Sequence, residues 1–210
     1  MKTGAFYRVL TDVDNNFLVE DVPLMVNCAG LSHYPDELHA AGVRHDYYVM
    51  YLWQGDVQIF APDIKEPFQA GDLIVFSPET SFVYYKPPKM EMRYFWVHFS
   101  GSFAEEFLNR CGIRTNTVIP IGNHEHLCED FNRLFESFLN RDAFFELEGV
   151  RCLTSLLMDF GRCIAGQKKG TSSSSPVSRA LMYIHGHLSK PISVEALAGE
   201  EHMSVSHFRA

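Results

Sequence analysis

The sequence lacks the features that would place the protein in a membrane or outside the cell. It has no apolar run that approaches the length of a transmembrane helix, and no apolar signal core follows the first residues, Met1 to Gly4. Its 5 cysteines form no C-x-x-C pair, and such an odd, scattered set is typical of reduced thiols. We therefore expect a soluble, cytoplasmic protein with no membrane partner.

The chain also lacks the excess of positive charge that a free-standing DNA-binding protein needs. It has 18 Lys and Arg against 26 Asp and Glu, which gives a formal net charge of −8. From Val177 onward, Arg179, Lys190 and Arg209 are balanced by glutamates, namely Glu195, Glu200 and Glu201. Because phosphate contacts supply most of the affinity for DNA, this chain alone is expected to bind DNA weakly or not at all.

Recognisable catalytic motifs are missing as well. The sequence has no phosphate-binding loop, no G-x-S-x-G elbow and no Cys/His nucleophile context. Two His-x-His pairs, His124/His126 and His185/His187, fall at a helix start and within a helix, where residues two apart do not face each other. We therefore predict no catalytic residue, no metal ligand and no cofactor.

What the chain has in abundance is aromatic side chains, with 17 Phe and 9 Tyr among its 210 residues. Up to about Gly101, short runs alternate with period two and are broken by Gly, Pro and Asp. The clearest run begins at Tyr47 and ends at Gln54, before a turn at Gly55 and Asp56. Many short strands at this spacing predict a β-sandwich or a small barrel.

After Gly101 the apolar spacing becomes helical and predicts three helices. The first spans Phe103 to Cys111. The second carries an apolar stripe made of Leu127, Phe131, Leu134, Phe135 and Phe138. The third carries a wider stripe made of Phe145, Val150, Leu153, Leu157, Phe160 and Ile164. We expect this wider stripe to contact both the barrel and a second subunit.

A polar stretch then separates two folding units. Residues 166–176, G-Q-K-K-G-T-S-S-S-S-P, have the composition of a flexible linker between a domain at 1–165 and a segment at 177–210. In that last segment, Ala180, Leu181, Ile184 and Leu188 recur at helical spacing, and Ser193 is a candidate N-cap for a second short helix. Ser204 is a candidate N-cap for a third. Short helices joined by a tight turn are typical of a helix-turn-helix.

Two parts of the chain resemble the AraC-type bacterial transcription regulators. The order I-S-V-E-A-L-A followed by H-M-S-V-S-H-F resembles the first helix-turn-helix of that family, and the chain ends inside its recognition helix. Three further motifs are similar to the amino-terminal domain: R-H-D-Y-Y-V-M-Y-L-W-Q-G, P-F-Q-A-G-D-L-I-V-F-S-P-E-T and Y-F-W-V-H-F-S-G. They begin at Arg44, Pro67 and Tyr94 and occur in the family's order.

The resemblance implies an α+β fold: a small cupin-like β-barrel (jelly roll), followed by dimerisation helices and a partial helix-turn-helix. It implies a ligand-responsive transcription regulator that is not an enzyme and that forms a homodimer. A small-molecule effector binds in the barrel, and DNA binds when the carboxy-terminal part is complete. By the resemblance, residues before about Gly30 would be the family's mobile arm and a first strand, a placement that their own sequence does not decide.

The effector site is predicted from the alternation of one strand. Tyr94, Trp96 and His98 share one face, whereas the other face is wholly apolar and suited to packing on helices. Indole, phenol and imidazole groups suit a polar ligand with apolar faces, such as a sugar. By the resemblance, Tyr84, Tyr94 and Trp96 align with pocket positions of sugar-sensing relatives and Arg44 falls near another, although Tyr94 stands where a relative can have histidine.

By the same resemblance, Ser204, Ser206, His207 and Arg209 would contact DNA in a complete relative. Two other functions stay open at this point. One is a natural truncated protein that heterodimerises with a full-length relative and inhibits it, since it would keep the predicted helices after Asn123. A cupin enzyme is the third alternative, since many cupins bind iron or manganese through a His-x-His pair, a Glu and a later His.

Overall fold

The computed structural model describes residues 4–61, 64, 67–88, 91–168, 192–200 and 203–208. They fall into two compact units, which divide after Lys168. The strands of the first unit are β1 (Gly4–Tyr7), β2 (Met25–Tyr34), β3 (Leu38–Gly42), β4 (Tyr47–Gln54), β5 (Asp56–Phe60), β6 (Phe68–Gln69), β7 (Asp72–Phe76), β8 (Phe82–Lys86), β9 (Met92–Ser100) and β10 (Ile119–Pro120). Its helices are α1 (Ala104–Arg110), α2 (Glu125–Asn140) and α3 (Phe145–Lys168).

These strands form two antiparallel sheets that enclose a barrel interior. One sheet has six strands in the order β1-β2-β9-β4-β7-β10, and the other has four in the order β3-β8-β5-β6. The predicted run from Tyr47 to Gln54 is strand β4, and Gly55 turns the chain into β5 with a φ of +94°. The architecture confirms the predicted α+β, cupin-like barrel followed by helices.

The six-stranded sheet separates two hydrophobic cores, and the alternation of its strands decides which residue enters which. The inner core lies between the two sheets and includes Tyr48, Met50 and Tyr94. The outer core lies between the six-stranded sheet and the helices and includes Phe95, Val97 and Phe99, as β9's apolar face predicts. Tyr94 and Trp96 lie on the opposite side, with the inner core.

Tyr51 connects the segment before α2 to the six-stranded sheet. Its side chain is fully buried in the outer core, and its hydroxyl donates to the Gly122 carbonyl at 2.9 Å. The same hydroxyl accepts a hydrogen bond of 3.1 Å from the backbone N–H of His124, the residue that precedes α2. Because the first N–H groups of a helix have no partner inside the helix, this contact positions the start of α2 on β4.

The predicted stripes of the second and third helices pack on this outer core. All five stripe residues of α2 are buried. In α3, four of the six are buried, and Phe145 and Val150 are half-buried against the same core. This chain's own sheet and α2 cover the four buried stripe residues, and contact of the stripe with a second subunit stays a prediction. The exposed apolar residues of α3 are instead Leu147, at 70%, and Met158, at 40%.

The linker predicted at 166–176 begins inside α3, which continues to Lys168. Gly166 does not end the helix, because an exposed glycine costs a helix only about 1 kcal/mol. Ile164, two residues earlier, is buried in the outer core and holds this part of the helix in place. The remainder of the predicted linker and the helix predicted around Ala180 to Leu188 lie outside the described residues.

The second unit contributes two short helices, α4 (Val194–Glu200) and α5 (Val205–Phe208). The predicted N-caps are present: the Ser193 hydroxyl accepts from the Ala196 N–H at 3.1 Å, and the Ser204 hydroxyl accepts from the His207 N–H at 3.3 Å. The Met203 N–H, two residues before α5, donates to the Ala198 carbonyl of α4 at 2.9 Å.

Candidate functional site

Two of the predicted site residues meet in the middle of the barrel. Tyr84 from β8 and Tyr94 from β9 are both buried, and their hydroxyl oxygens lie 3.2 Å apart. Tyr48 of β4 joins them, and we call these three residues the tyrosine cluster. Burial raises the pKa of Tyr48 and Tyr94 far above the usual value, so these phenols stay protonated and can act as hydrogen-bond donors. Sequence reasoning missed Tyr48, although strand alternation places it on the same face of β4 as Met50.

Trp96 lies half-buried beside this cluster on β9. Its indole N–H donates to the Ser32 hydroxyl of β2 at 2.9 Å. Its ring covers Gly30, where an added Cβ would lie 2.4 Å from a ring carbon and 2.6 Å from the Gly4 carbonyl oxygen. The absence of a side chain at Gly30 therefore lets the indole lie flat across the neighbouring strand.

The other two predicted residues, Arg44 and His98, converge on Asp46, which sequence reasoning missed. The Asp46 side chain has no exposed surface. It accepts hydrogen bonds from Arg44 Nε at 2.7 Å, from Asn27 Nδ2 at 2.9 Å and from His98 Nδ1 at 3.3 Å. We call these four residues the Asp46 cluster. The available signal was the R-H-D motif itself, since an acid two residues after Arg44 can lie on the same side of an extended chain.

The electrostatics of the Asp46 cluster follow from burial and from these bonds. Burial by itself would raise the pKa of Asp46, but the hydrogen bonds from His98 and Arg44 outweigh it and lower that pKa. Burial also lowers the pKa of His98, despite the opposing effect of Asp46. The cluster therefore holds an ionised Asp46, a charged Arg44 and a neutral His98 at neutral pH.

The Asp46 cluster and the tyrosine cluster are in contact. The His98 ring stacks on the Tyr48 ring with centroids 4.3 Å apart and an interplanar angle of 16°. Trp96 meets the same imidazole edge-on, with centroids 5.5 Å apart. Tyr94, Trp96 and His98 from β9 thus meet Tyr84 from the opposite sheet at the barrel interior or its edge, and Arg44 joins them through Asp46.

The segment before β2 is attached to the Asp46 cluster. Arg44 Nη2 donates to the carbonyls of Asp14 and Asn15 at 3.0 and 3.2 Å. Asn27 Nδ2 donates to the Phe17 carbonyl at 2.8 Å. The guanidinium of Arg44 is therefore engaged with one carboxylate and two carbonyls, and it links residues 14–17 to the end of the barrel.

The pKa of His98 predicts that stability falls as the solution becomes acidic. The unfolded chain takes up a proton near pH 6.5 at this position, whereas the native state resists it, so the free energy of unfolding declines as the pH drops below about 6.5. Asp46, whose native pKa is also lowered, adds a second decline below about pH 4. Urea denaturation between about pH 5 and pH 8 measures the first decline.

His98→Gln should flatten that dependence, since a glutamine amide does not titrate but still donates to Asp46. His39→Gln is the matched control for the removal of a histidine outside the cluster, because His39 is exposed on the edge strand β3. A slope that is the same in the wild-type protein and in His98→Gln contradicts the assignment.

The predicted DNA-contacting residues lie in the second unit. Ser204, Ser206 and His207 are exposed at and after the start of α5, and Ser204 is its N-cap. Arg209 lies outside the described residues. Their role in DNA contact stays a prediction.

The histidine pair at the start of α2 is engaged locally. The His124 Nε2 atom lies 2.7 Å from the Ile121 carbonyl oxygen, and the rings of His124 and His126 are 5.3 Å apart. Within the described ranges, no group of three or more His, Cys, Asp or Glu side chains is placed to hold a metal ion. Among the helices that the structure describes, none is long and apolar enough to cross a membrane.

A further cleft of about 460 Å³, which the sequence did not predict, lies between the end of α1 and the second half of α3. Arg110, Cys111, Met158 and Arg162 are among its lining residues. Gly161 allows the close approach of the two elements, since a Cβ there would lie 2.7 Å from the Cys111 carbonyl oxygen.

Comparisons with known structures find both regulators and cupin proteins. ToxT from Vibrio cholerae with a bound unsaturated fatty acid is 7% identical and matches over 92% of this chain and 74% of its own, with a TM-score of 0.40. The AraC-like transcriptional activator CuxR is 15% identical, with 90% and 76% covered and a TM-score of 0.40. A cupin 2 conserved barrel protein from Salinispora arenicola is 15% identical, with 51% and 84% covered and a TM-score of 0.34.

No curated protein matches the sequence significantly. A family model does: that of the AraC-like ligand binding domain matches residues 27–157, more than half of the chain. The matched region begins in β2 and runs through the barrel, α2 and half of α3, so it contains both clusters described above. This chain therefore belongs to the family of AraC-like ligand binding domains.

Proposed function

We propose that this chain is the sensing part of a ligand-responsive transcription regulator, and that its barrel binds a small effector of the sugar type. One observation carries the proposal: phenol, indole and imidazole groups from β4, β8 and β9 contact one another at the inner core of the barrel. Aromatic faces give a sugar flat stacking surface, while hydroxyl and N–H groups orient its own hydroxyls. The Asp46 cluster adds a buried, ordered polar end to this site.

An effector regulates such a protein if it binds one arrangement more tightly than another. The segment at 14–17 is a candidate for the element that changes, because Arg44 and Asn27 attach it directly to the Asp46 cluster. A ligand that competes for Asp46 or His98 would alter those attachments. Homodimerisation through α2 and α3 is part of the proposal, with Leu147 and Met158 as exposed apolar contacts. DNA binding belongs to the complete regulator.

A thermal-shift screen against simple sugars and sugar acids tests the proposal. A ligand present at about a hundred times its dissociation constant should add roughly 2.7 kcal/mol to stability, which is visible as a higher melting temperature. One clear hit among related sugars supports a sensor. A flat response over the whole panel contradicts a sugar effector.

Trp96→Ala should weaken effector binding at least tenfold, about 1.4 kcal/mol, while the protein still folds and dimerises. The indole supplies stacking surface at the edge of the inner core, and dimerisation is assigned to the helices on the other side of the sheet. Isothermal titration calorimetry with the hit from the screen measures the affinity, and analytical ultracentrifugation measures the dimer.

The chain offers a matched control, since its other tryptophan, Trp53, is half-buried against the outer core. Trp53→Ala should lower stability and keep the effector affinity. Unchanged affinity in Trp96→Ala would remove Trp96 from the site.

A further inference from the structure

The Asp46 cluster leaves two hydrogen-bond acceptors unused, and they indicate what kind of group binds beside it. The carboxylate of Asp46 is fully engaged by three donors, Arg44, Asn27 and His98. Two of these donors, Asn27 and His98, are neutral. Each donates one hydrogen bond to Asp46 and has another polar side-chain atom, Oδ1 in Asn27 and Nε2 in His98. The nature of those remaining atoms follows from the bonds that are already made.

The first unused acceptor is the carbonyl oxygen of the Asn27 side chain. Asn27 lies at the bulge of β2, where the register with β9 shifts between Val26 and Cys28, and it has no exposed surface. Its amide contacts a backbone carbonyl and a carboxylate, which both accept only, so the NH2 group must face them. The Oδ1 atom is left buried without a hydrogen-bond partner. Such an orphan acceptor is costly unless a donor reaches it.

The second unused acceptor is Nε2 of His98. An ionised carboxylate cannot donate, so Nδ1 must carry the proton that is shared with Asp46. A neutral imidazole has one N–H, and Nε2 is then a bare acceptor. The ring lies on the barrel side of β9, stacked on Tyr48. Among the described residues, its hydrogen bond is made at Nδ1, to Asp46.

Two cations of the barrel, Arg44 and Lys86, are already engaged by the protein itself. Arg44 donates to Asp46 and to two backbone carbonyls. Lys86, which is fully buried at the end of β8, donates from Nζ to the carbonyls of Pro35 and Pro87 at 3.4 and 3.1 Å. An anionic ligand at the Asp46 end would meet a carboxylate and two acceptors.

We infer that the Asp46 end of the barrel binds hydrogen-bond donors, so that the effector is a neutral polyol or an amino sugar and not a carboxylate or phosphate. The inference rests on the proposed function and narrows it to one ligand chemistry. O–H or N–H groups of the ligand donate to His98 Nε2 and Asn27 Oδ1, and a negatively charged group is repelled by Asp46.

The tautomer of His98 tests the inference without any ligand. Long-range ¹H–¹⁵N correlation spectra of the full chain at neutral pH should show His98 with a protonated Nδ1 and an unprotonated Nε2. The spectrum of His98→Gln identifies the signal by its loss. An Nε2–H tautomer or an imidazolium would overturn the inference.

Matched ligands test the chemistry of the effector. Glucose, glucosamine and glucuronate form one series, and galactose, galactosamine and galacturonate form another. In a series that binds, the neutral or amino sugar should bind at least tenfold more tightly than the acid, as measured by thermal shift and calorimetry. An acid that binds as tightly as its neutral partner overturns the inference. If no sugar of either series binds, the result counts against the sugar effector of the proposed function. An Nδ1–H tautomer of His98 would still support an end of the barrel that binds hydrogen-bond donors.

His98→Phe separates recognition from folding. Phenylalanine keeps a ring to stack on Tyr48 but has no acceptor, so the neutral sugar should lose at least tenfold in affinity and its advantage over the acid should shrink. His39→Phe, on the outer strand β3, should change neither. Melting temperatures establish that both variants are folded, and a preference for the neutral sugar that survives in His98→Phe overturns the role of Nε2.

Discussion

Replacing Asp46 with alanine should cost about 3–5 kcal/mol of folding free energy, because it removes the common partner of a buried cluster. The Asp46 side chain has no exposed surface and that of Arg44 is 17% exposed. Without the carboxylate, the guanidinium loses its charged partner, and the donors of Asn27 and His98 each lose an acceptor. Urea denaturation at neutral pH measures the loss, which should also release the segment at 14–17.

Two comparisons make this result specific. In the double variant Arg44→Met/Asp46→Leu the loss should be smaller than in Asp46→Ala, since apolar groups in place of both ions leave no unpaired charge. Glu129→Ala removes an exposed ion-pair partner of Arg133 in α2, where both side chains are more than 60% exposed, and should cost less than about 1 kcal/mol. A cost for Asp46→Ala as small as that of Glu129→Ala would mean that the cluster contributes little to stability.

Gly101→Ala adds a single methyl group and should lower the free energy of unfolding of the first unit by about 3 kcal/mol or more. Gly101 directly follows β9 and leads the chain toward α1. Its φ of +138° lies in a region of backbone conformation that is nearly exclusive to glycine. An added Cβ would lie 2.3 Å from the Pro23 carbonyl oxygen and 2.6 Å from Leu24 Cα. Both atoms belong to the backbone and cannot move aside as a flexible side chain can.

Two other glycines separate the clash from the backbone strain. Gly112 has a φ of +69° with nothing near its Cβ position, so Gly112→Ala should cost about 1–2 kcal/mol from strain alone. Gly166 lies in α3 with open space around it, and Gly166→Ala should stabilise the helix by about 0.5–1 kcal/mol. Thermal or urea denaturation of the three variants should rank them in this order. Equal costs at Gly101 and Gly112 would contradict the steric part of the argument.

These two positions connect the parts that a sensor must coordinate. Asp46 links the barrel interior to the amino-terminal segment, and Gly101 links the strand that carries Tyr94, Trp96 and His98 to the helices. A variant that loosens either link should therefore lose effector-dependent behaviour together with stability. Trp96→Ala differs, since it should lose effector binding with little effect on these connections.

Local sequence patterns were sufficient where one element decides the outcome. The period-two run at 47–54 is strand β4, and the stripe of α2 is buried as its spacing predicted. The two faces of β9 separate as expected, with Phe95 and Val97 toward the helices. The caps at Ser193 and Ser204 followed from short-range hydrogen-bonding chemistry. In each case the pattern itself is local, since it shows which residues of one element are apolar or can cap a helix.

The sequence by itself thus determined the fold class, the faces of the strands and the AraC-like family, because periodicity and motif order are local properties of the chain. Tertiary structure alone decided that Asp46 and Arg44 meet Asn27 and His98, since Asn27 and His98 are far from Asp46 in sequence and reach it through strand register and a bulge in β2. It also decided that the apolar stripe of α3 packs on the outer core of this chain, where four of its six residues are buried. A periodic pattern states which side of a helix is apolar, but the surrounding elements determine what that side contacts.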